Sequence, residues 1–121
     1  MEKTILIVDD SPSVRDLITF TLETASFKVL CGTDGKDALK HFNGANIDLV
    51  ITDLHMPKID GISLIKEIRL MPQYQFVPIL VLTTESQASK KQSAKEAGAT
   101  GWIIKPFEQE KLLNVVKKVI R

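Results

Sequence analysis

The chain has 121 residues, which fits one domain, and 44% of them are hydrophobic, enough for a core without disulfides or a structural metal. Its formal net charge of +1 provides no overall basic field of the kind that attracts nucleic acid non-specifically. Its apolar runs are too short for a membrane span or a signal peptide, so we expect a cytoplasmic protein that binds neither nucleic acid nor membranes.

Short apolar runs alternate with segments of helical spacing along the whole chain. The runs of strand length are residues 5–8, 27–31, 49–52, 78–83 and 101–104. The segments that follow them repeat apolar residues at intervals of three and four, for example at Val14, Leu17, Ile18, Thr21 and Leu22. Five strands alternating with five helices predict an α/β domain with a parallel sheet.

The composition of individual runs predicts their places in the sheet. Runs 5–8, 49–52 and 79–82 lack polar alternation, which is typical of central strands covered on both faces. Run 27–31 alternates around Lys28, so we expect it at an edge. The single cysteine, Cys31, excludes an intramolecular disulfide, and we predict that it is a small core residue on this strand.

Several helix boundaries are marked by capping residues. Ser11 and Pro12 predict an N-cap and a first helical residue directly after Asp10. A shorter helix is expected after residues 34–37, and the last helix should begin near Glu108 and end near basic residues, which complements its dipole. Residues 85–99 have helical composition without a large apolar stripe, so the fourth helix should pack loosely.

Polar side chains follow the carboxyl ends of four predicted strands. They are Asp9 and Asp10 after the first, Asp53 after the third, Thr83 and Thr84 at the end of the fourth, and Lys105 followed by Pro106 after the fifth. In open parallel sheets, ligands bind beyond the carboxyl ends of the strands, where the strand order reverses. The sequence therefore predicts a polar site at this edge.

The chemistry of these side chains favours a metal and phosphate site. Three neighbouring carboxylates repel one another, and a divalent cation relieves that repulsion; oxygen ligands select Mg²⁺ or Mn²⁺. An aspartate can form an acyl phosphate, and Asp53 is the expected nucleophile, with Asp9 and Asp10 as metal ligands. Lys105 and Thr83 would bind phosphate oxygens.

Each of these residues also has an ordinary structural explanation. Asp9 and Asp10 could be an acidic approach to a helix N-terminus, Asp53 could cap a turn, and Lys105 could be solvated. These explanations work singly, but the joint pattern favours a site. His55 is ambiguous, because a lone loop histidine usually contacts solvent.

Four motifs in chain order resemble the receiver domain of two-component response regulators, the CheY-like family. They are "VDD" at 8–10, "DLHMPKIDG" at 53–61, "LTT" at 82–84 and "GWIIKPF" at 101–107. The resemblance covers essentially residues 1–121 as one domain. It implies a flavodoxin-like, doubly wound five-stranded parallel sheet of order 2-1-3-4-5, with five helices.

The resemblance also implies roles for the polar residues. Asp53 would accept phosphate from the phosphohistidine of a sensor histidine kinase or a phosphotransfer protein. Mg²⁺, for which Mn²⁺ can substitute, would be bound by Asp10, Asp53 and the backbone carbonyl of His55, with Asp9 acting largely through water. Lys105 and Thr83 would bind phosphoryl oxygens, and the Lys105–Pro106 peptide bond would be cis.

A conformational switch follows from the same resemblance. Phosphorylation would draw the Thr83 hydroxyl inward and let the ring of Trp102 move, which would change a surface made by the fourth helix, fifth strand and fifth helix. Trp102 occupies a position more often held by Tyr or Phe, and Thr84 is bulkier than the usual residue. His55, Thr84 and Glu85 lie where residues tune acyl-phosphate hydrolysis in the family.

The expected function is a stand-alone, monomeric response regulator whose output is binding to another protein. Motifs 83–86 and 101–107 resemble single-domain chemotaxis regulators, which suggests a flagellar motor switch protein as partner. A phosphorelay intermediate or a phosphate sink would use the same scaffold. A Mg²⁺-dependent aspartyl-phosphate phosphatase is disfavoured because Asp9 and Asp10 are adjacent, and a flavodoxin-like cofactor domain because two aspartates would repel a phosphate.

Overall fold

The computed structural model describes residues 2–120, so Met1 and Arg121, the two ends of the predicted domain, lie outside the described residues. The strands are β1 (Thr4–Val8), β2 (Lys28–Gly32), β3 (Leu49–Thr52), β4 (Ile79–Thr83) and β5 (Gly101–Ile104). The helices are α1 (Pro12–Thr24), α2 (Gly35–Leu39), α3 (Gly61–Arg69), α4 (Ala88–Ala97) and α5 (Gln109–Val119), with a 3₁₀ turn at Pro72–Tyr74. The predicted alternation of strands and helices is confirmed over residues 2–120.

The strands form one parallel sheet of order β2-β1-β3-β4-β5, which confirms the predicted topology. Val8, the last residue of β1, is level with Gly32 on one side and Thr52 on the other. The chain crosses over at this point: β2 lies on one side of β1, and the later strands lie on the other. This reversal opens a crevice at the carboxyl edge between β1 and β3.

Two apolar layers cover the two faces of the sheet. Because strand side chains alternate, Leu6 and Val8 face α2, α3 and α4, whereas Ile5 and Ile7 face α1 and α5. All residues of β3 and β4 are buried, as expected for central strands, and β2 lies at an edge as predicted. Three of the strands with polar carboxyl ends, β1, β3 and β4, are therefore covered on both faces.

The helix boundaries agree with the capping signals, with one difference. The Ser11 hydroxyl accepts a hydrogen bond from the Val14 amide at 3.4 Å, and α1 begins at Pro12. Helix α2 begins inside residues 34–37 rather than after them, because the Asp34 carboxylate caps it by accepting from the Asp37 amide at 2.8 Å. Glu108 is the N-cap of α5, as expected.

Cys31 lies on β2, but the prediction that it belongs to the core is wrong. Its side chain is exposed, and its sulfur lies 3.5 Å from the Thr19 hydroxyl oxygen of α1. The reason is the position of β2 at the sheet edge, where one flank of the strand has no neighbour.

Helix α4 is held mainly at its carboxyl end. Ala94 is its only buried residue in the part that the structure describes, which agrees with the loose packing expected from its composition. Beyond it, the Arg69 guanidinium donates to the Gly98 carbonyl at 2.7 and 3.2 Å and to the Val77 carbonyl at 2.6 Å. Burial lowers the pKa of Arg69. No helix within residues 2–120 has the length and apolar character needed to span a membrane.

We expect Arg69→Met to lower the free energy of unfolding by about 2–3 kcal/mol, because carbonyls that now accept from a cation lose their donor. Urea denaturation followed by circular dichroism measures the change. Lys66→Met, on the exposed side of the same helix, is the control and should change the value by less than about 0.5 kcal/mol. An equal decrease in the free energy of unfolding in the two variants would contradict the prediction.

Candidate functional site

The residues that follow β1, β3 and β5 are fixed by continuation of the sheet hydrogen bonds. The Asp9 amide donates to the Gly32 carbonyl at 3.2 Å, and the Asp53 amide donates to the Val8 carbonyl at 3.0 Å. The Lys105 amide donates to the Thr83 carbonyl at 2.8 Å. The backbones of three predicted site residues are therefore as firmly placed as the strands themselves.

The Lys105 ammonium bridges two carboxylates at this edge. Its Nζ lies 2.7 Å from Oδ2 of Asp9 and 2.9 Å from Oδ2 of Asp53. The side chains are 14% exposed for Lys105, 3% for Asp9 and 11% for Asp53. Little water screens these contacts, so the charge-assisted hydrogen bonds hold the three groups tightly.

The second oxygen of each carboxylate is oriented by backbone amides. Oδ1 of Asp9 accepts from the Ser11 amide at 2.9 Å. Oδ1 of Asp53 accepts from the Leu54 amide at 2.6 Å and, more weakly, from the His55 amide at 3.4 Å. Both carboxylates are thus fixed before any ligand binds.

The electrostatic environment favours the charged forms of Asp53 and Lys105. Burial opposes the charge on Asp53, but the Lys105 ammonium and the Thr83 hydroxyl outweigh it, and the pKa of Asp53 lies below its ordinary value. Burial also opposes the charge on Lys105, but hydrogen bonds to Asp9 and Asp53 raise its pKa above the usual value. A charged carboxylate is the form that can act as a nucleophile.

Asp10 completes an acidic cluster. It is exposed, and Asp9, Asp10 and Asp53 each offer a carboxylate oxygen, with all three oxygens within 4.8 Å of one another. Carboxylate oxygens keep acceptor capacity beyond the hydrogen bonds described above. This donor set of hard oxygens fits Mg²⁺ or Mn²⁺.

The last residue of β4 and the residues that follow it lie beside the acidic cluster. Thr83 is buried, and its hydroxyl accepts from the Glu85 amide at 3.2 Å, whereas Thr84 is exposed. Oε1 of Glu85 lies 2.9 Å from Nε2 of His55. The Gln87 amide, and then His55, lower the pKa of Glu85.

The His55–Glu85 contact joins the loops after β3 and β4, and the sequence did not reveal it. His55 is exposed, as a lone loop histidine usually is, yet it also has this partner. The two residues are separated by 30 positions, so no local pattern links them. Only the adjacency of β3 and β4 in the sheet brings them together.

Trp102 lies on β5, and Thr83 lies on the neighbouring strand β4. The partly buried indole lines a cavity of about 250 Å³ beside α4 and another of about 430 Å³ that extends toward α5. The second cavity also reaches Lys105 and Pro106, whose connecting peptide bond is cis. Trp102 therefore belongs to the surface formed by α4, β5 and α5 and adjoins a cavity that reaches Lys105 at the polar edge.

Two further residues support the site without having been singled out in the sequence. Arg15 of α1 donates to the Asp9 carbonyl at 2.6 Å. Gly61 begins α3 against the backbone of Asp53, where a Cβ atom would collide with the Asp53 carbonyl oxygen. In the sequence, the only indication of the contact between Gly61 and Asp53 was a glycine at the residue where a helix begins.

The fold and the site define a class of protein: a parallel α/β domain with an acidic crevice and a bridging lysine at the point where the strand order reverses. The family of the response regulator receiver domain matches residues 5–117, and the chain belongs to this family. Its members are signalling switches of two-component systems.

A curated relative is the alkaline phosphatase synthesis transcriptional regulatory protein PhoP of Bacillus subtilis. It is 36% identical over 121 residues, which are 100% of this chain and 50% of PhoP. The chain thus spans half the length of this relative, and less than half of the other curated relatives compared.

Two solved structures are similar over almost the whole chain. The chemotaxis response regulator CheY4 of Vibrio cholerae is 42% identical with a TM-score of 0.95, and the match covers 99% of this chain and 100% of CheY4. The receiver domain of a sensor histidine kinase from Pseudomonas aeruginosa is 26% identical with a TM-score of 0.90, covering 98% of each chain. That structure has a magnesium ion coordinated in its active-site cleft.

We expect Lys105→Met to lower the free energy of unfolding of the metal-free protein by about 3 kcal/mol at pH 7, because two buried carboxylates lose their cation. The native pKa of Asp53 is lowered and that of Lys105 is raised. Their mutual stabilisation is therefore complete between pH of about 4 and about 10, and falls away as acid lowers the pH through the native pKa of Asp53.

Urea denaturation with a metal chelator, repeated from pH 7 to pH of about 3, measures this difference. The difference in free energy of unfolding between the native protein and Lys105→Met should shrink as the pH falls. Lys111→Met, which removes an exposed lysine of α5, is the control. A gap that stays constant over this range would show that Lys105 does not stabilise the fold through these carboxylates.

Proposed function

We propose that the chain is a phosphorylation-dependent switch in which Asp53 accepts a phosphoryl group from the phosphohistidine of a sensor histidine kinase or a phosphotransfer protein. The observation that carries this proposal is the Lys105 ammonium within 2.9 Å of both Asp9 and Asp53, beside an exposed Asp10. Membership of the receiver family supports it.

In the proposed reaction, a carboxylate oxygen of Asp53 attacks phosphorus as the phosphorus–nitrogen bond of phosphohistidine breaks. The bonding pair of electrons leaves with the imidazole nitrogen, and an acyl phosphate forms on Asp53. Lys105 can then bind one phosphoryl oxygen and the Thr83 hydroxyl another. The Lys105 ammonium is already positioned at Asp53, so little movement of this cation is needed as charge develops.

The chain's residues also fit a divalent cation. Asp10, Asp53 and the His55 carbonyl are proposed as direct ligands, with Asp9 acting through water and Mn²⁺ able to replace Mg²⁺. A bound Mg²⁺ would neutralise charge on the transferred phosphoryl group. The magnesium ion in the Pseudomonas aeruginosa receiver domain supports this assignment.

The later loss of the phosphoryl group would be tuned by the exposed residues around the cluster. His55 and Glu85 form a bridge beside Asp53, and Thr84 lies exposed between Thr83 and Glu85. A side chain here can exclude or orient the water that hydrolyses the acyl phosphate. We therefore propose His55, Thr84 and Glu85 as the residues that set the lifetime of the phosphorylated state.

The proposed output is a change in the surface formed by α4, β5 and α5. Thr83 and Trp102 lie on adjacent strands, Trp102 adjoins two cavities, and α4 has little buried surface to resist movement. The similarity to CheY4, a chemotaxis response regulator, favours a flagellar motor switch protein as partner of this surface. A phosphorelay intermediate or phosphate sink is the alternative. The stand-alone, monomeric form stays a prediction.

Incubation with Mg²⁺ and a small acyl phosphate should add one phosphoryl group, measured by intact mass. Asp53→Asn should abolish the addition, because an amide is not a competent nucleophile, whereas Asp16→Asn on the exposed part of α1 should leave it unchanged. Folded native protein that remains unmodified would rule out the proposal. Continuous hydrolysis of many equivalents without slowing would favour a phosphatase.

Thr83→Ala should still accept the phosphoryl group but lose the change in Trp102 fluorescence, because the hydroxyl that couples the two sites is absent. Stopped-flow fluorescence after acyl phosphate addition measures this, and Thr24→Ala, at an exposed threonine of α1, is the control. Binding of a motor switch protein to phosphorylated native chain, and not to phosphorylated Thr83→Ala, would support the chemotaxis role. A full fluorescence response in Thr83→Ala would contradict the coupling.

A further inference from the structure

The segment between β3 and α3, residues 54–60, carries the proposed His55 ligand and is termed the acceptor loop. Its two ends are well fixed. The Gly61 amide donates to the Leu54 carbonyl at 2.8 Å, and the Asp60 carboxylate caps α3 by accepting from the Ser63 amide at 2.8 Å. The residues between these ends are held by contacts with other segments of the chain.

The middle of the acceptor loop rests on the first residue of α2. A Cβ atom at Gly35 would lie 2.5 Å from the Ile59 carbonyl oxygen and 2.8 Å from the Ile59 Cβ. Both positions are closer than van der Waals contact allows, so only glycine permits this approach. Because one of the atoms is backbone oxygen, no side-chain rotation can relieve the collision; the loop itself would have to move.

An ion pair lies beside this contact. The Lys58 ammonium is 3.5 Å from Oδ2 of Asp34, the residue that caps α2. Lys58 itself has a left-handed backbone, with φ of 71°, which turns the loop toward α2. Lys58 is mostly exposed, so the pair alone is weak, but it acts on the same two segments as the Gly35 contact.

The geometry of Mg²⁺ makes the position of this loop consequential. The ion requires near-ideal octahedral ligands and tolerates small displacements poorly. The proposed ligands Asp10 and Asp53 follow β1 and β3 closely, whereas the His55 carbonyl belongs to the acceptor loop, whose contacts outside β3 include Glu85 and α2. A shift of the loop would therefore move one ligand while leaving the others in place.

We propose that Gly35 is a positioning residue for the metal site, which it serves by holding the acceptor loop through its backbone contact with Ile59. The inference rests on the proposed function, since it takes the His55 carbonyl as a ligand. Gly35 touches neither metal nor phosphate and acts through the loop. Ordinary close packing of α2 would predict a loss of stability from a larger residue, but no selective loss of metal affinity.

Mn²⁺ binding to the full chain, without any phosphodonor, separates these two outcomes. Electron paramagnetic resonance of free Mn²⁺ gives the affinity, and urea denaturation gives the stability. We expect Gly35→Ala to weaken Mn²⁺ binding by about tenfold or more, as seen for residues that support metal ligands. Gly44→Ala is the matched control: its φ of 97° is also strained for alanine, but a Cβ atom there meets only the Gln73 side chain, at 4.0 Å.

Gly44→Ala should lose stability yet keep its Mn²⁺ affinity within about threefold of the native value. Native Mn²⁺ affinity in Gly35→Ala, or an equal loss of Mn²⁺ affinity in Gly35→Ala and Gly44→Ala, would overturn the proposal. If Gly35→Ala does not fold, Ile59→Gly removes the Ile59 Cβ that packs on Gly35 and frees the loop backbone without a collision, and native affinity in that variant would overturn the proposal equally. A native chain that binds no Mn²⁺ would overturn the metal part of the proposed function as well, whereas phosphorylation of Asp53 is tested separately by mass.

Discussion

The bridge from Lys105 to Asp9 and Asp53 is the interaction on which the polar edge depends. Two nearly buried carboxylates that lie this close destabilise each other unless a cation compensates both. Lys105 follows β5, so its side chain must pass the end of β4 to reach the residues after β3 and β1. The buried Thr83 at the end of β4 lies along that path. The long, flexible lysine stem makes this reach possible.

The same bridge bears on the proposed phosphoryl transfer to Asp53. The ammonium contacts both carboxylates and lowers the pKa of Asp53, yet Asp10 remains exposed. In the proposed reaction, an arriving phosphoryl group would bring negative charge to a place where Lys105 is already fixed. The proposed reaction would then need only to redistribute contacts that folding has already formed.

Local patterns predicted most of the framework, and their failures have physical causes. Apolar runs identified β1, β3 and β4 because central strands have no polar face, and Ser11 identified the start of α1 because it caps it. Cys31 was misplaced because burial at an edge strand depends on what covers it. The strand order came from the motifs that resemble a family, since strand lengths alone permit several orders.

The sequence by itself determined which chemical groups are available and at which strand ends they occur: Asp9, Asp10, Asp53, Thr83 and Lys105. Only the tertiary structure decided which of them touch. It paired Lys105 with Asp9 across 96 positions, joined His55 to Glu85, and placed Gly35 against Ile59. Such contacts join segments that are remote in the chain, and they form because the sheet order and the crossover helices bring those segments together, which no short-range pattern encodes.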